Sequence, residues 1–273
     1  MLLNRITEFR SVADSLRLSF VLRRLASAGA VFALGVSSTG CDGVFDAFRD
    51  ETTLVHVFST HNGTPQGGVF PDYGDQGTRT WTTDLGWTVT LSDAFVVTSA
   101  VALRNCGGDV QGVDFYYGQL PEDLTGPDLE SESLGSTEAP ATTYCMLQAT
   151  FSSYMAIDSA DIGDHQPSSD VIVGHSLYLR GLAEKNGQSI PFEVHSEREV
   201  SVLLDISTLD DGNPFKLTGK ETYPAELLIS KVYDHFFDGV DFTALADIDL
   251  EEQVWAVIET DTHVSIGTIP YGV

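Results

Sequence analysis

The chain has 273 residues, with 14 basic against 40 acidic side chains and a formal charge of −26, a balance that repels phosphate backbones and excludes nucleic acid as a partner. Its hydrophobic content of 42%, with 15 Phe and nine Tyr, excludes a disordered chain and is enough for one packed core. The charge is unevenly spread: residues 1–40 hold five of the basic and two of the acidic residues, which leaves −29 on the remainder.

The N-terminus comes first. Arg5, Arg10, Arg17, Arg23 and Arg24 precede an uncharged apolar run, Leu25–Val36, the order of a secretory signal. Twelve helical residues rise about 18 Å, short of the ~30 Å of a bilayer core, so a permanent span is not expected. The run leads through Ser38-Thr39 to Gly40-Cys41. A cysteine at that point reads as a bacterial lipoprotein signal over residues 1–40, although Ser38 stands where a leucine is usual. Cys41 is then lipidated, residues 41–51 are a tether, and residues 52–273 form a single domain. This domain hangs from the envelope membrane on the periplasmic or cell-surface side. In that oxidising compartment Cys106 and Cys145 are expected to form a disulfide. The rival is a pair of free thiols acting as soft copper ligands.

Beyond the tether, period-two alternation predicts strands over Thr53–Ser59, Arg79–Thr83, Trp87–Leu91, Ala94–Arg104, Val113–Tyr117, Leu147–Phe151, Val171–Ala183, Ile190–Val194, Val200–Ile206, Phe215–Thr218 and Ala225–Val232. Gly107-Gly108, Lys185-Asn186-Gly187 and Asp210-Asp211-Gly212-Asn213 supply turns. The segment Pro121–Ala141, acidic and rich in Ser and Pro, reads as a mobile surface loop. A helix is expected over Leu250–Glu259, capped by Asp249, with Val254, Val257 and Ile258 as its apolar stripe. The fold class is therefore mainly β: an antiparallel β-sandwich with one or two short C-terminal helices.

The chain has no GxSxG, HExxH, phosphate-binding loop or CxxC, so an enzyme is not expected. Histidines are the first candidates for chemistry. His56, His61, His165 and His175, converging at the loop end of a sandwich, would suit a metal ion, copper foremost. His56 and His61 lie five apart, an odd spacing that puts them on opposite faces of a continuous strand. Calcium is the second choice, through Asp158, Asp161, Asp164 and Asp170 or through Asp234, Asp238 and Asp241. Trp81, Trp87, Phe115, Tyr116, Tyr117, Phe236 and Phe237 would be either core or the lining of a glycan or peptide groove.

The segments Gly86–Leu91 (GWTVTL), Gly181–Gly187 (GLAEKNG) with Ile190–Glu193 (IPFE), and Ser230–Phe242 (SKVYDHFFDGVDF) resemble envelope lipoproteins of myxobacteria and their relatives. More distantly, the order of parts is similar to the methanobactin-associated periplasmic copper-binding (MbnP-like) family. The similar parts are a first strand with a glycine-rich turn, a strand pair over Trp87–Leu103, and a strand from Thr143-Tyr144-Cys145 to Phe151. That resemblance implies a β-rich secreted protein that binds copper through histidine. This chain lacks that family's Met-x-Trp-x-Trp stretch, so a site using a modified tryptophan does not carry over to Trp81, Trp87 or Trp255. The resulting expectation is a non-enzymatic, lipid-anchored protein binding a metal or small ligand at the loop end. The alternative is a structural or adhesive module that meets another envelope protein or a glycan.

Overall fold

Strands account for most of the computed structural model, which describes residues 51–74, 77–156, 167–247 and 249–267; the expected signal segment over residues 1–40, Cys41 and most of the expected tether lie outside these residues. In chain order the strands are β1 (Thr52–Asn62), β2 (Arg79–Thr82), β3 (Thr88–Asn105), β4 (Val110–Gly112), β5 (Asp114–Phe115), β6 (Leu120–Asp123), β7 (Glu132–Pro140), β8 (Thr143–Phe151), β9 (Leu177–Lys185), β10 (Gln188–Ser196), β11 (Val200–Asp205), β12 (Phe215–Lys216) and β13 (Ala225–Val232). Helix α1 (Leu250–Asp261) then leads directly into β14 (Thr262–Ile266).

One sheet has five strands in the order β14-β13-β1-β7-β5. The other has the path β10-β9-β3-β8-β11, with β12 on β8 and β2, β4 and β6 on β3. Pairing is antiparallel except between β1 and β13, which run parallel. The 18-residue β3 joins what the sequence reads as two strands. Its register shifts at Leu91/Asp93 and Thr98/Ala100 let one strand bend from a β9 partner to a β8 partner.

The core lies between the sheets, and alternation decides which residues enter it. Val55 and Val57 of β1 meet Val89, Leu91, Leu147, Ala149, Phe151 and Leu179 of the larger sheet, all with 0% exposure. Each such side chain stabilises the fold by about 1.5–3 kcal/mol relative to exposure. Ala94 and Val96 face this core, while Phe95 and Val97 face the other way. They pack with Tyr154, Ile172 and Tyr178 in a small second cluster on the outer face of the larger sheet. Helix α1 buries Val254, Trp255 and Ile258 against the main core. Its start is capped as expected, the Asp249 carboxylate accepting from the Glu252 amide at 3.1 Å. The indole N–H of Trp255 donates to Ser196 Oγ at 3.0 Å and fixes the helix to the end of β10.

Two segments differ from expectation. Pro121–Ala141 is not a mobile loop: its ends belong to β6 and β7, and β7 is the antiparallel neighbour of β1. Small residues are required there because the Asp114 carbonyl lies against Gly135 where any Cβ would stand. Val171–Ala183 is not one strand either. A 3-10 turn covers Asp170–Ile172, Gly174 takes φ 85, and β9 begins only at Leu177. Cys106 and Cys145 form the expected disulfide, closing a separation of 39 residues and tying the end of β3 to β8. This leaves no thiol pair for copper.

Candidate functional site

Where β1, β2, β6 and β13 reach one end of the sandwich, the main-core side is polar. Ser59 and His61 of β1, Glu122 of β6 and Lys231 of β13 are all buried. Glu122 accepts from Ser59 Oγ at 2.6 Å, lies 2.7 Å from Lys231 Nζ, and meets His61 Nδ1 at 3.0 Å. Lys231 Nζ also donates to Ser59 Oγ at 2.5 Å. Burial pushes the Glu122 carboxyl up, but Lys231 and His61 outweigh it and hold the group at about 2.

A second layer continues toward the loops. Arg79, 1% exposed, meets Asp128 Oδ1 at 3.0 Å, donates from Nε to the Leu124 carbonyl at 2.8 Å, and bonds the Gly74 and Gly126 carbonyls. Its guanidinium lies 5.5 Å from the ring centroid of Tyr233, whose hydroxyl donates to Asp128 at 2.9 Å. Burial raises Asp128 despite Arg79 and His61, and burial together with Glu122 raises Glu132. Tyr73 donates to Asp234 at 3.0 Å, and its hydroxyl is pushed up to about 12 by burial and by that carboxylate. These charges are consumed by one another, and they hold three loops against the sandwich.

At the rim, His235 Nδ1 lies 2.8 Å from Asp261 at the end of α1, and Nε2 lies 3.1 Å from Thr64 Oγ1. Hydroxyl, imidazole and carboxylate stand in the order of a hydrolase triad. The Thr64 hydroxyl, however, donates to Asp234 at 2.9 Å, and the Thr64 amide donates to the same carboxylate. The proton that a nucleophile would hand to imidazole is committed elsewhere. Burial opposes protonation of His235, but Asp261, Asp234 and Asp238 outweigh it and raise the imidazole above its ordinary value.

Among the described residues, the sequence-predicted His56, His61 and His175 stand apart. His56 faces outward from β1, with Nδ1 3.0 Å from the Tyr116 hydroxyl and its ring stacked on Phe58. His61 faces inward, so the five-residue spacing does separate them across the strand. His165, Asp158, Asp161 and Asp164 lie outside the described residues. His175 precedes β9, on the outer side of the larger sheet, beside His195. His195 is a residue the sequence reading passed over. The signal was there in β10: Phe192, Val194 and Ser196 are buried, so Glu193 and His195 must face out. Among the described residues no three His, Cys, Asp or Glu side chains are grouped so as to hold a metal ion. Asp234 is taken by Thr64 and Tyr73, Asp238 accepts from the Asp84 amide, and Asp241 caps Thr243. Trp81, Trp87, Phe236 and Phe237 are core, whereas Tyr116 and Tyr117 are exposed. Among the described residues no helix is long and apolar enough to cross a membrane.

No family model matches the chain, and no curated protein matches it. A solved structure that is similar is MbnP from Methylosinus trichosporium, at 10% identity and a TM-score of 0.39, covering 70% of this chain and 80% of that one. No site and no activity is inferred from a likeness of that size.

Proposed function

We propose that this chain is a lipid-anchored, non-enzymatic protein of the bacterial envelope that holds a metal ion through histidine. The observation that carries the reading is which potential ligands remain unspent. The loop-end carboxylates are paired with Lys231, Arg79 and His61, and the thiols are joined to each other. The His175 imidazole on an outer face keeps an unpartnered nitrogen, and imidazole suits copper and zinc. The disulfide and the signal-like N-terminus support an oxidising address. The test has two parts. Palmitate labelling should follow Cys41 and vanish in Cys41→Ser, and the processed protein extracted in detergent should carry copper or zinc near one per chain. A chain with neither lipid nor metal would sink the reading.

The adhesive alternative has its own support in Tyr116 and Tyr117. They are 44% and 45% exposed and stand edge to face with ring centroids 6.3 Å apart. Aromatic pairs of this kind hold sugar faces or peptide side chains. Binding to an envelope glycan that is lost in Tyr116→Ala together with Tyr117→Ala, with metal content unchanged, would favour it.

A further inference from the structure

The two imidazoles on the outer face of the larger sheet have their ring centroids 5.2 Å apart, with an interplanar angle of 52°. Both are positioned by backbone rather than by chance of rotamer. His195 is the next-to-last residue of β10, paired across the ladder with Tyr178 of β9. His175 lies just before β9; its amide donates to the Ile172 carbonyl at 2.9 Å and its carbonyl accepts from the Tyr154 amide at 2.9 Å. Ser176, the next residue, donates from its amide to the Ser196 carbonyl at 2.7 Å, which holds the two histidine-bearing segments side by side. The Nδ1 of His175 is buried and has no hydrogen-bond partner. A buried polar atom left in that state is costly, and a ligand on it would recover that cost.

At 5.2 Å between centroids the two rings are near enough to share one ion. A zinc–nitrogen bond is about 2.0–2.1 Å and an imidazole centroid lies about 1.2 Å behind its nitrogen, so each centroid stands about 3.2 Å from a bound ion. Two such rings on one ion at a tetrahedral angle would have centroids about 5.2 Å apart, so the observed spacing is compatible with a shared ion. We infer that His175 and His195 form a two-imidazole site for a d10 ion of tetrahedral preference, Zn(II) or Cu(I), with the remaining positions open to solvent or to a ligand carried by a partner. The surroundings suit a cation. Glu193 faces out two residues before His195 and accepts from the Tyr178 hydroxyl at 3.0 Å, and Tyr178 lies against the His175 ring. This inference rests on the metal-binding reading above and moves the site from the loop end to the sheet face.

The test is competitive titration of the full processed protein in detergent. Zn(II) is titrated against a chromophoric chelator, and Cu(I), without oxygen, against a Cu(I)-specific chelator. The wild type, His195→Ala, His175→Ala and His56→Ala are compared. His195 is exposed, so His195→Ala keeps the fold and its melting temperature even where His175→Ala does not. The expected result is binding of one equivalent that weakens by about tenfold or more in His195→Ala and in His175→Ala and is unchanged in His56→Ala. Which ion shows the loss names the ion. Wild-type binding that survives in both variants would overturn this site while leaving the metal-binding reading standing. A wild type that binds neither ion would overturn both.

Discussion

The loop end and the outer sheet face place histidine in opposite situations. His61 is enclosed, and its ring nitrogens are drawn into a network with Glu122, Asp128 and the Gly126 carbonyl. His175 keeps an unpartnered nitrogen beside a second imidazole. The same residue type is structural cement in one place and an unspent ligand in the other. The difference comes from what faces it, not from its spacing along the chain. A group whose bonding capacity is already filled by its own protein is a poor candidate for binding anything else.

The sharpest way to break this comparison is at Lys231. Lys231→Met should leave the buried Glu122 carboxylate without its lysine, with only His61 and Ser59 beside it, and cost about 3–5 kcal/mol in urea unfolding. The double change Lys231→Met with Glu122→Leu should recover most of that loss. A Lys231→Met chain of wild-type stability would mean that the network is not closed as described. Next in size is the disulfide. Replacing Cys106 and Cys145 together by serine should lower stability by about 2–4 kcal/mol, read as a shift in the denaturation midpoint. A larger effect than that of Lys231→Met would rank the covalent tie above the charged one.

Acid titration sharpens the picture further. The folded Glu122 carboxyl is held at about 2, below its ordinary 4.5, so the unfolded chain binds the extra proton between those values. The stability it contributes is complete above about 4.5 and is lost as pH falls toward about 2. Asp128 and Glu132 are raised, so they oppose this: protonating them as pH falls through their folded values favours the folded state. Urea midpoints measured from pH 6 to pH 3 should therefore fall, and the fall should be shallower in Glu122→Gln. An equally steep fall in the variant would place the acid-sensitive group elsewhere. The smallest effect belongs to His235, raised and partly exposed. Its contribution is present below the ordinary histidine value of about 6.5 and disappears as pH rises through the folded value. Asp261→Asn should flatten that alkaline loss by less than about 1 kcal/mol, as expected for a solvent-screened pair. A steeper alkaline loss in Asp261→Asn would reverse the assignment.

Much of the sandwich was legible because alternation is a local signal. Val200, Val202 and Leu204, like Leu147, Ala149 and Phe151, announce a strand and the face it buries. Strand β7 was hidden because its Ser, Glu and Pro read as loop residues, and what makes it a strand is β1, a remote partner. The loop-end network was hidden for the same reason in stronger form. Glu122, Arg79 and Lys231 look like solvated charges until residues far along the chain come to enclose them. The sequence could not show whether the histidine candidates meet, because it gives the face of a residue within its own strand but not the neighbour across the ladder. His195 could be placed on an outer face from β10 alone, yet only the folded chain, where the Ser176 amide bonds the Ser196 carbonyl, shows that it meets His175.

The parallel pairing of β1 with β13 has a consequence for how the chain assembles. Ser59 and Lys231, joined at the loop end, are 172 residues apart. β1 precedes β13 by most of the domain, and one of its two flanks cannot be covered until β13 has followed. During that interval β1 stands half-paired, offering a row of open amides and carbonyls to any neighbouring chain. Folding of this domain is therefore expected to be slow, with β1 exposed to mispairing while β13 is still to come.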